Sequence, residues 1–393
     1  MDKKNKNPNV PNLRFKYHTN WHSSYLGEIV DYCGGGTPST KNKSYWNGNI
    51  PWISSSDLYE DDIYKINKTR FITEQAIQNS ATKLCPKESI CIVSRVGVGK
   101  VAVTQQELCT SQDFFNIIKC NINKYFFAYQ IQQKIKIAQQ QGTSIKGITS
   151  KEIQNFKIWI PSENEQDKIS FFLKLIDKRI QTQIKIIDDY VSLKNYLLKS
   201  FFQEFNEYDK LSTLIKFGKA GGTPKSTVKD YYDGDIPFLS ISDITNQGKY
   251  IKHTIKHISQ KGLNNSSAWL VPKNSLILSM YASVGLPTIN RVPLATSQAM
   301  ISMVLKNQHE VEFIYYYLCY FKKYKIRTFL ETGTQSNINA DIVKSIKIPK
   351  IKKDEKEKIT DLLIKIDQLI DNEKQILDFH KKEKKYLLKN MFI

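Results

Sequence analysis

Cysteine is scarce in this chain, and the placing of the few there are removes two classes of explanation. The six cysteines, at positions 33, 85, 91, 109, 120 and 319, include no C-x-x-C pair, and five of them fall in the first half. That pattern supplies neither a zinc-ligand set nor a disulfide framework, and a cysteine inside an apolar run such as ICIVS at Cys91 reads as a buried free thiol. His253 and His257 have i, i+4 spacing but lack the intervening glutamate of a metalloprotease helix, so no metal ligand is assigned. The longest apolar-aromatic run, Phe313 to Phe321, is too short to cross a bilayer, and the opening MDKKNKNPNVPN lacks the apolar stretch of a signal peptide. A cytoplasmic protein without a membrane partner is expected.

Nucleotide and catalytic signatures are missing as well. SRVGVGKVAV around Gly97 and Gly99 carries G-x-G-K, without the wider glycine separation or the following Ser/Thr of a phosphate loop. The triplet Gly34 to Gly36 leads into Thr-Pro and not into a helix, unlike a dinucleotide fingerprint. An Asn/Asp-Pro-Pro-aromatic motif for amino-group methylation is not supplied by Asn7-Pro8-Asn9. The residues describe a binder that leaves chemistry to others. Positive charge, by contrast, is abundant: 58 Lys and Arg against 38 Asp and Glu give a formal charge of +20, nearly all from lysine. A polyanionic partner follows, and nucleic acid is the first choice, although abundant Lys, Asn and Ile can also reflect an AT-rich genome.

The most informative presence is an internal repeat. GGTP at Gly35 to Pro38 returns at Gly221 to Pro224, and YWNGNIPWIS at Tyr45 to Ser54 returns as YYDGDIPFLS at Tyr231 to Ser240, both 186 residues later. Thr110 to Gln112 reappears at Thr296 to Gln298; the offset then moves to 190, where YLLK at Tyr196 to Lys199 matches Tyr386 to Lys389, with Asp177 and Asp367 in step. A repeat of about 190 residues is domain-sized. Each copy opens with short β-branched runs broken by turns, such as Ser89 to Val93 and Val101 to Thr104. A helix over Lys124 to Gln139 and a strand over Phe156 to Ile160 follow.

Beyond Pro161 a segment from Glu165 to about Gln203 has no Gly or Pro and carries Ile169, Leu173, Ile176, Ile180, Ile187, Leu197 and Phe201 at 4-3 spacing. Its second copy, Asp354 to Phe392, presents Ile359, Leu363, Ile366, Ile370, Leu377, Leu387 and Met391. Such stripes belong to a coiled-coil seam. The fold class expected is α+β: two repeated α/β domains and two long helices forming an antiparallel coiled coil, with pseudo-twofold symmetry. Polar residues interrupt the seam at Gln183, Lys194, Glu373 and Lys384. With facing residue numbers summing to 567, Lys194 meets Glu373, Gln183 meets Lys384, Ile180 meets Leu387 and Leu197 meets Ile370. The alternative is a solvated heptad edge.

Contact chemistry is expected in the polar loops. Lys41 and Lys43 in one copy and Lys225 in the other lie in turns that lead to the aromatic-Gly-Ile-Pro strand and then to Ser-x-Ser-Asp, which contains Ser55, Ser56 and Ser242. Lysines beside short hydroxyl groups suit phosphate and base edges. The alternative is that Trp46, Ile50, Pro51 and Trp52 pack the core while Ser and Asp cap a turn. In SRVGVGK, Arg95 and Lys100 are further candidates, and Arg95 is replaced by Tyr281 in the second copy. Such a swap suits two readers of different bases, since arginine can bind guanine bidentately and tyrosine cannot.

The ordered, duplicated pattern of GGTP, aromatic-x-G-x-I-P and terminal YLLK helix resembles the specificity subunit of Type I restriction-modification enzymes, over about residues 21 to 393. Residues 1–20 read as a polar, mobile arm, and the resemblance implies a target-recognition domain at 21–161, a spacer helix at 162–205, a second recognition domain at 206–350 and a second spacer helix at 351–393. It also implies a non-catalytic role in reading a bipartite, asymmetric site on double-stranded DNA for phage defence. Two modification subunits carrying S-adenosylmethionine would methylate adenine, and restriction subunits using ATP and Mg would cleave; the chain itself would hold no cofactor. Thr143, Ser144 and Lys146, and Gln335 and Ser336, lie in turns that resemble DNA-facing family positions. Ile169, Ile176, Ile180, Lys194, Leu197, Ile359, Ile366, Ile370, Glu373 and Leu387 would serve the coiled coil and the partners. Two other readings stay open: a stand-alone DNA-binding regulator or anti-restriction decoy, and a structural adaptor that binds proteins.

Overall fold

The computed structural model describes residues 10–16, 20–140, 147–281, 283–327 and 338–393. They form two compact units, Met1–Ile184 with Gln375–Ile393, and Lys185–Lys374. In the first unit, strands β1 (Val30–Gly34), β2 (Ile90–Val93), β3 (Val101–Val103) and β4 (Phe114–Cys120) make an antiparallel sheet in the order β1-β4-β2-β3. β2 and β3 are buried along their whole length, which explains why they read as unbroken apolar runs without alternation. A second four-stranded sheet contains Ile50–Ile53 paired in parallel with Leu108–Thr110, so the IPWI strand of the repeated motif is an interior strand. Helix α1 (Lys124–Gln140) packs on the first sheet through Phe126, Phe127, Ile131 and Ile135, all buried.

The second unit repeats this plan. Strands β5 (Ile215–Ala220), β6 (Leu276–Ser279), β7 (Pro287–Asn290) and β8 (Met300–Leu305) are antiparallel in the order β5-β8-β6-β7, and Tyr250–Ile251 adds a parallel edge to β7. The sheet is covered by a helix rich in aromatic residues over Val311–Tyr324. The mixed helix and strand content and the duplicated order agree with the expected fold class.

Two helices continue these units: α2 (Glu163–Phe202) and, after the Val311–Tyr324 helix α3, helix α4 (Lys353–Met391). Each is within two residues of its expected limits. In the first unit the beginning of α2 (Ile169, Leu173, Ile176) shares one core with the end of α4 (Leu387, Leu388, Met391). In the second unit the end of α2 (Leu198, Phe202) shares a core with the beginning of α4 (Ile359, Leu363), so the helix segments pair antiparallel within each unit. Burying each of these side chains contributes about 1.5–3 kcal/mol. The seam departs from expectation near the end of α2. Leu197 and Phe201 are only half-buried, whereas Leu198 and Phe202 are 3% and 2% exposed. The cause is a change of neighbour: Phe202 packs edge-on against Phe313 and Tyr317 of α3, and a straight helix drifts from a strict heptad by about 20° per repeat.

Candidate nucleic-acid interface

The repeated motifs turn out to be scaffold. The Gly36 N–H donates to the Thr110 carbonyl at 2.8 Å and the Gly222 N–H to the Thr296 carbonyl at 2.9 Å, so each GGTP lies on the backbone of its Thr-Ser-Gln. A Cβ on Gly35 would overlap the Ser111 carbonyl oxygen, and one on Gly221 the Thr296 carbonyl oxygen; only glycine allows this approach. Thr37 and Thr223 complete the dock by donating to Gln112 Oε1 and Gln298 Oε1 at 2.5 and 2.6 Å. Trp52 is 4% exposed and donates its indole N–H to the Gly36 carbonyl at 2.8 Å. The packing alternative therefore holds for the aromatic-Gly-Ile-Pro strand.

The Ser-x-Ser-Asp segments are turn caps. The backbone N–H of Ser54 donates to Asp57 Oδ2 at 2.7 Å and that of Ser240 to Asp243 Oδ2 at 2.9 Å, two capping boxes of the same design. Arg70 lies over the Trp52 ring at 4.6 Å and donates to Ser54 Oγ at 2.7 Å and to the Asp57 carboxylate. Ser55 is half-buried and its carbonyl accepts from Lys100 Nζ at 3.0 Å, so Lys100 braces the loop. Ser56 and Ser242 are exposed, and their hydroxyls sit 2.9 and 2.8 Å from those of Ser54 and Ser240. Lys41, Lys43 and Lys225 are exposed and make no ion pair among the described residues.

The strongest candidate for base contact is the loop joining β2 to β3. Arg95 is exposed, and Val96 beside it is 75% exposed. Gly97 and Gly99 adopt φ of +83° and +102°; in the loop joining β6 to β7, Ser283 and Gly285 adopt +60° and +77° at the matching positions. Two loops with positive φ at matching positions thus present different side chains, Arg95 in one and the 40%-exposed Tyr281 in the other. The chain that follows each first helix returns to the same hairpin. The Ile148 N–H donates to the Ser94 carbonyl at 2.7 Å, and the Ile338 N–H donates to the Met280 carbonyl at 3.3 Å. Gln139 at the end of α1 also donates to the Val98 carbonyl at 2.9 Å. Thr143, Ser144, Lys146, Gln335 and Ser336 lie outside the described residues.

A pair of triads, buried in the first unit and half-buried in the second, fixes the helices. In the first unit Tyr129 of α1 donates to Asp177 of α2 at 2.5 Å, and Lys384 of α4 pairs with the other Asp177 oxygen at 2.5 Å. In the second, Tyr316 of α3 donates to Asp367 of α4 at 2.7 Å, and Lys194 of α2 pairs with Asp367 at 2.5 Å. Burial holds the Asp177 carboxyl above its usual range against the pull of Lys384, and burial with the Asp177 charge pushes Tyr129 far up, keeping it a donor. The facing register is therefore corrected. Lys194 pairs with Asp367 and not Glu373, Lys384 with Asp177 and not Gln183, and facing numbers sum to 561 (177 with 384, 194 with 367), six less than expected. The Ile180–Leu387 and Leu197–Ile370 pairings go with the discarded register. The only signal in the sequence was that Asp177/Asp367 and Lys194/Lys384 recur at the 190-residue offset.

The family model described as "Type I restriction modification DNA specificity domain" matches twice, at residues 18–188 and 205–378. The chain belongs to this family. Among curated relatives, the specificity subunit of the Type I restriction enzyme MjaIX of Methanocaldococcus jannaschii is 33% identical over 202 residues, covering 49% of this chain and 46% of the relative. The EcoR124I/EcoR124II specificity subunit of Escherichia coli is 36% identical over 163 residues, 39% of each chain. The chain thus spans less than half the length of these two relatives. A specificity subunit from M. genitalium superimposes with a TM-score of 0.58 at 16% identity, covering 98% of this chain and 99% of that one. A chain from a study of complex assembly and conformational transition of the type I R-M system gives 0.62 at 15% identity, covering 96% and 97%. At those identities the likeness shows the fold, and it spans both repeats of the specificity-subunit family.

Proposed function

We propose that this chain is the DNA-recognition subunit of a Type I restriction-modification complex and reads a bipartite, asymmetric site. The observation that carries the reading is the pair of hairpins with matching positive-φ turns and different tips, Arg95 against Tyr281. Matching turns with unlike side chains are what two readers of unlike sequences need. Residues 21–161 and 206–350 are the two target-recognition domains, and the two spacer helices set the gap. Each domain contributes a few base pairs of readout, and joining the two lets the free energies add while association entropy is lost once. Lys41, Lys43 and Lys225 supply phosphate contacts.

Catalysis is assigned to partners: adenine methylation to two modification subunits with S-adenosylmethionine, cleavage to restriction subunits with ATP and Mg. The YLLK repeat supports two equivalent docking places, because its tyrosines, Tyr196 and Tyr386, are 69% and 62% exposed while the adjoining leucines are buried or half-buried. No helix among the described residues is long and apolar enough to cross a membrane, in keeping with a cytoplasmic complex. The test is co-expression with a modification subunit, followed by mapping of adenine methylation across a genome. A split motif with a constant gap is expected. A stable complex that leaves the genome unmethylated would instead favour the decoy.

A further inference from the structure

The two units differ in one respect that the repeat does not explain. In the first, α1 and the last turns of α4 enclose an open cleft of about 850 Å³, lined by seven lysines and by two acidic side chains, Glu60 and Asp61. Asp61 is taken by Lys136 at 2.8 Å, Lys384 by Asp177, and Lys382 by Asp378 at 2.7 Å on the same helix. Lys134, Lys381, Lys385 and Lys389 have no carboxylate in ion-pair range among the described residues. Burial and the nearby charge of Lys157 push the Lys134 ammonium down. Lys381, Lys385 and Lys389 follow i, i+4 spacing on one face of α4. That row is about 12 Å long at 1.5 Å per residue, a length over which one strand of duplex DNA places roughly three or four phosphates.

At the corresponding positions of α2 the second unit has Val191, Ser192 and Asn195 in place of Lys381, Lys382 and Lys385, and of this row only Lys389 recurs, as Lys199. On α3, Phe321 stands where α1 has Lys134. The cleft also adjoins the reading loop, because Gln139 lines it and donates to the Val98 carbonyl. We infer that this cleft is a track for the DNA sugar-phosphate backbone beside the bases read by the first domain, and that the second domain reads its half-site without one. The inference rests on the DNA-reading function proposed above. It makes the two half-sites electrostatically unequal: the first is held by charge as well as by base contact.

The test uses the full chain in complex with modification subunits and measures affinity for a duplex carrying the methylated motif across a range of KCl. Lys381→Val, Lys382→Ser and Lys385→Asn are combined, each introducing the residue that the other repeat already carries on its long helix. With two or three phosphates no longer neutralised, at roughly 0.9 each, the slope of log affinity against log salt becomes shallower by about 2–3, and affinity at 0.1 M salt falls on the order of 100-fold. The methylated motif stays unchanged. Lys134→Gln, on a different element, lowers the slope by about 0.9 alone. An unchanged slope in both variants, with specific binding intact, overturns the track. Loss of the motif itself assigns these lysines to folding or base readout and overturns it too. A wild-type complex without salt-dependent DNA affinity overturns the track and the DNA-reading function together.

Discussion

Removing one charge from the first-unit triad is expected to cost far more than the same change in the second unit. Lys384 and Asp177 are 5% and 4% exposed, and the Lys384 ammonium also donates to the Asp61 carbonyl at 2.7 Å. Lys384→Met strands a buried carboxylate and a carbonyl, and breaking a buried pair from one side costs about 3–5 kcal/mol. In the second unit the side chains of Lys194 and Asp367 are each 20% exposed, so water can replace part of what Lys194→Met removes; about 1–2 kcal/mol is expected there. For a unit of this size, about 2–4 °C per kcal/mol translates the first change into a fall of roughly 10 °C in the transition of the first unit. Calorimetry on the full chain reads that shift, and hydrogen exchange at the amides of Lys124–Gln140 assigns it to the first unit. Replacing both partners, Lys384→Met with Asp177→Leu, should recover at least half of the loss, because an apolar pair of similar volume is often neutral. Tyr129 then keeps a partner in Tyr64, 3.3 Å away. A cost below about 1 kcal/mol for Lys384→Met, or a larger one for Lys194→Met, refutes the assignment of the buried triad as the lock of the helix register.

Gly35→Ala and Gly221→Ala place a methyl group against a neighbouring strand's carbonyl and should each destabilise their own unit by about 3 kcal/mol or more, read by denaturant unfolding; a loss under about 0.5 kcal/mol means that GGTP does not dock as described. Burial pushes the Cys109 thiol up to about 12, and the contact with Cys91 together with burial, outweighing Cys33, pushes the Cys85 thiol up as well, so neither is a thiolate at pH 8. Iodoacetamide at that pH should leave both unmodified in the native chain, and labelling within minutes contradicts their burial. Arg95→Ala should relax one base position in one half of the methylated motif, with a loss of about 1–3 kcal/mol in discrimination and no change in the other half. Methylome sequencing checks it, and an unaltered motif removes Arg95 from base contact.

What could be read in the sequence depended on how local the deciding interaction was. The repeat gave the domain plan, because GGTP and the IPWI strand repeat for backbone reasons that survive divergence, such as the close approach at Gly35. The Arg95-to-Tyr281 swap was visible because both lie at the tip of a turn whose shape is set by residues nearby. The hydroxyl groups of Ser56 and Ser242, and Lys100, looked like free contact groups because their partners lie in caps and carbonyls that only the folded turn brings close. The helix register was misread by six residues for a longer-range reason. Asp177 and Asp367 recur visibly, but the lysine that each meets, Lys384 and Lys194, lies more than a hundred residues away in the sequence and is chosen by the packing of the folded helices. The lysine-lined cleft was hidden in the same way, since the row from Lys381 to Lys389 reads as a solvated helix face until α1 is placed beside it.

The central claim, that two domains each read one half of a split site, is tested most directly by exchanging residues 21–161 for those of another family member. The hybrid is expressed with its modification subunit and adenine methylation is mapped. The account predicts a motif in which one half changes, while the other half and the gap persist. A motif that changes in both halves, or in neither, contradicts it.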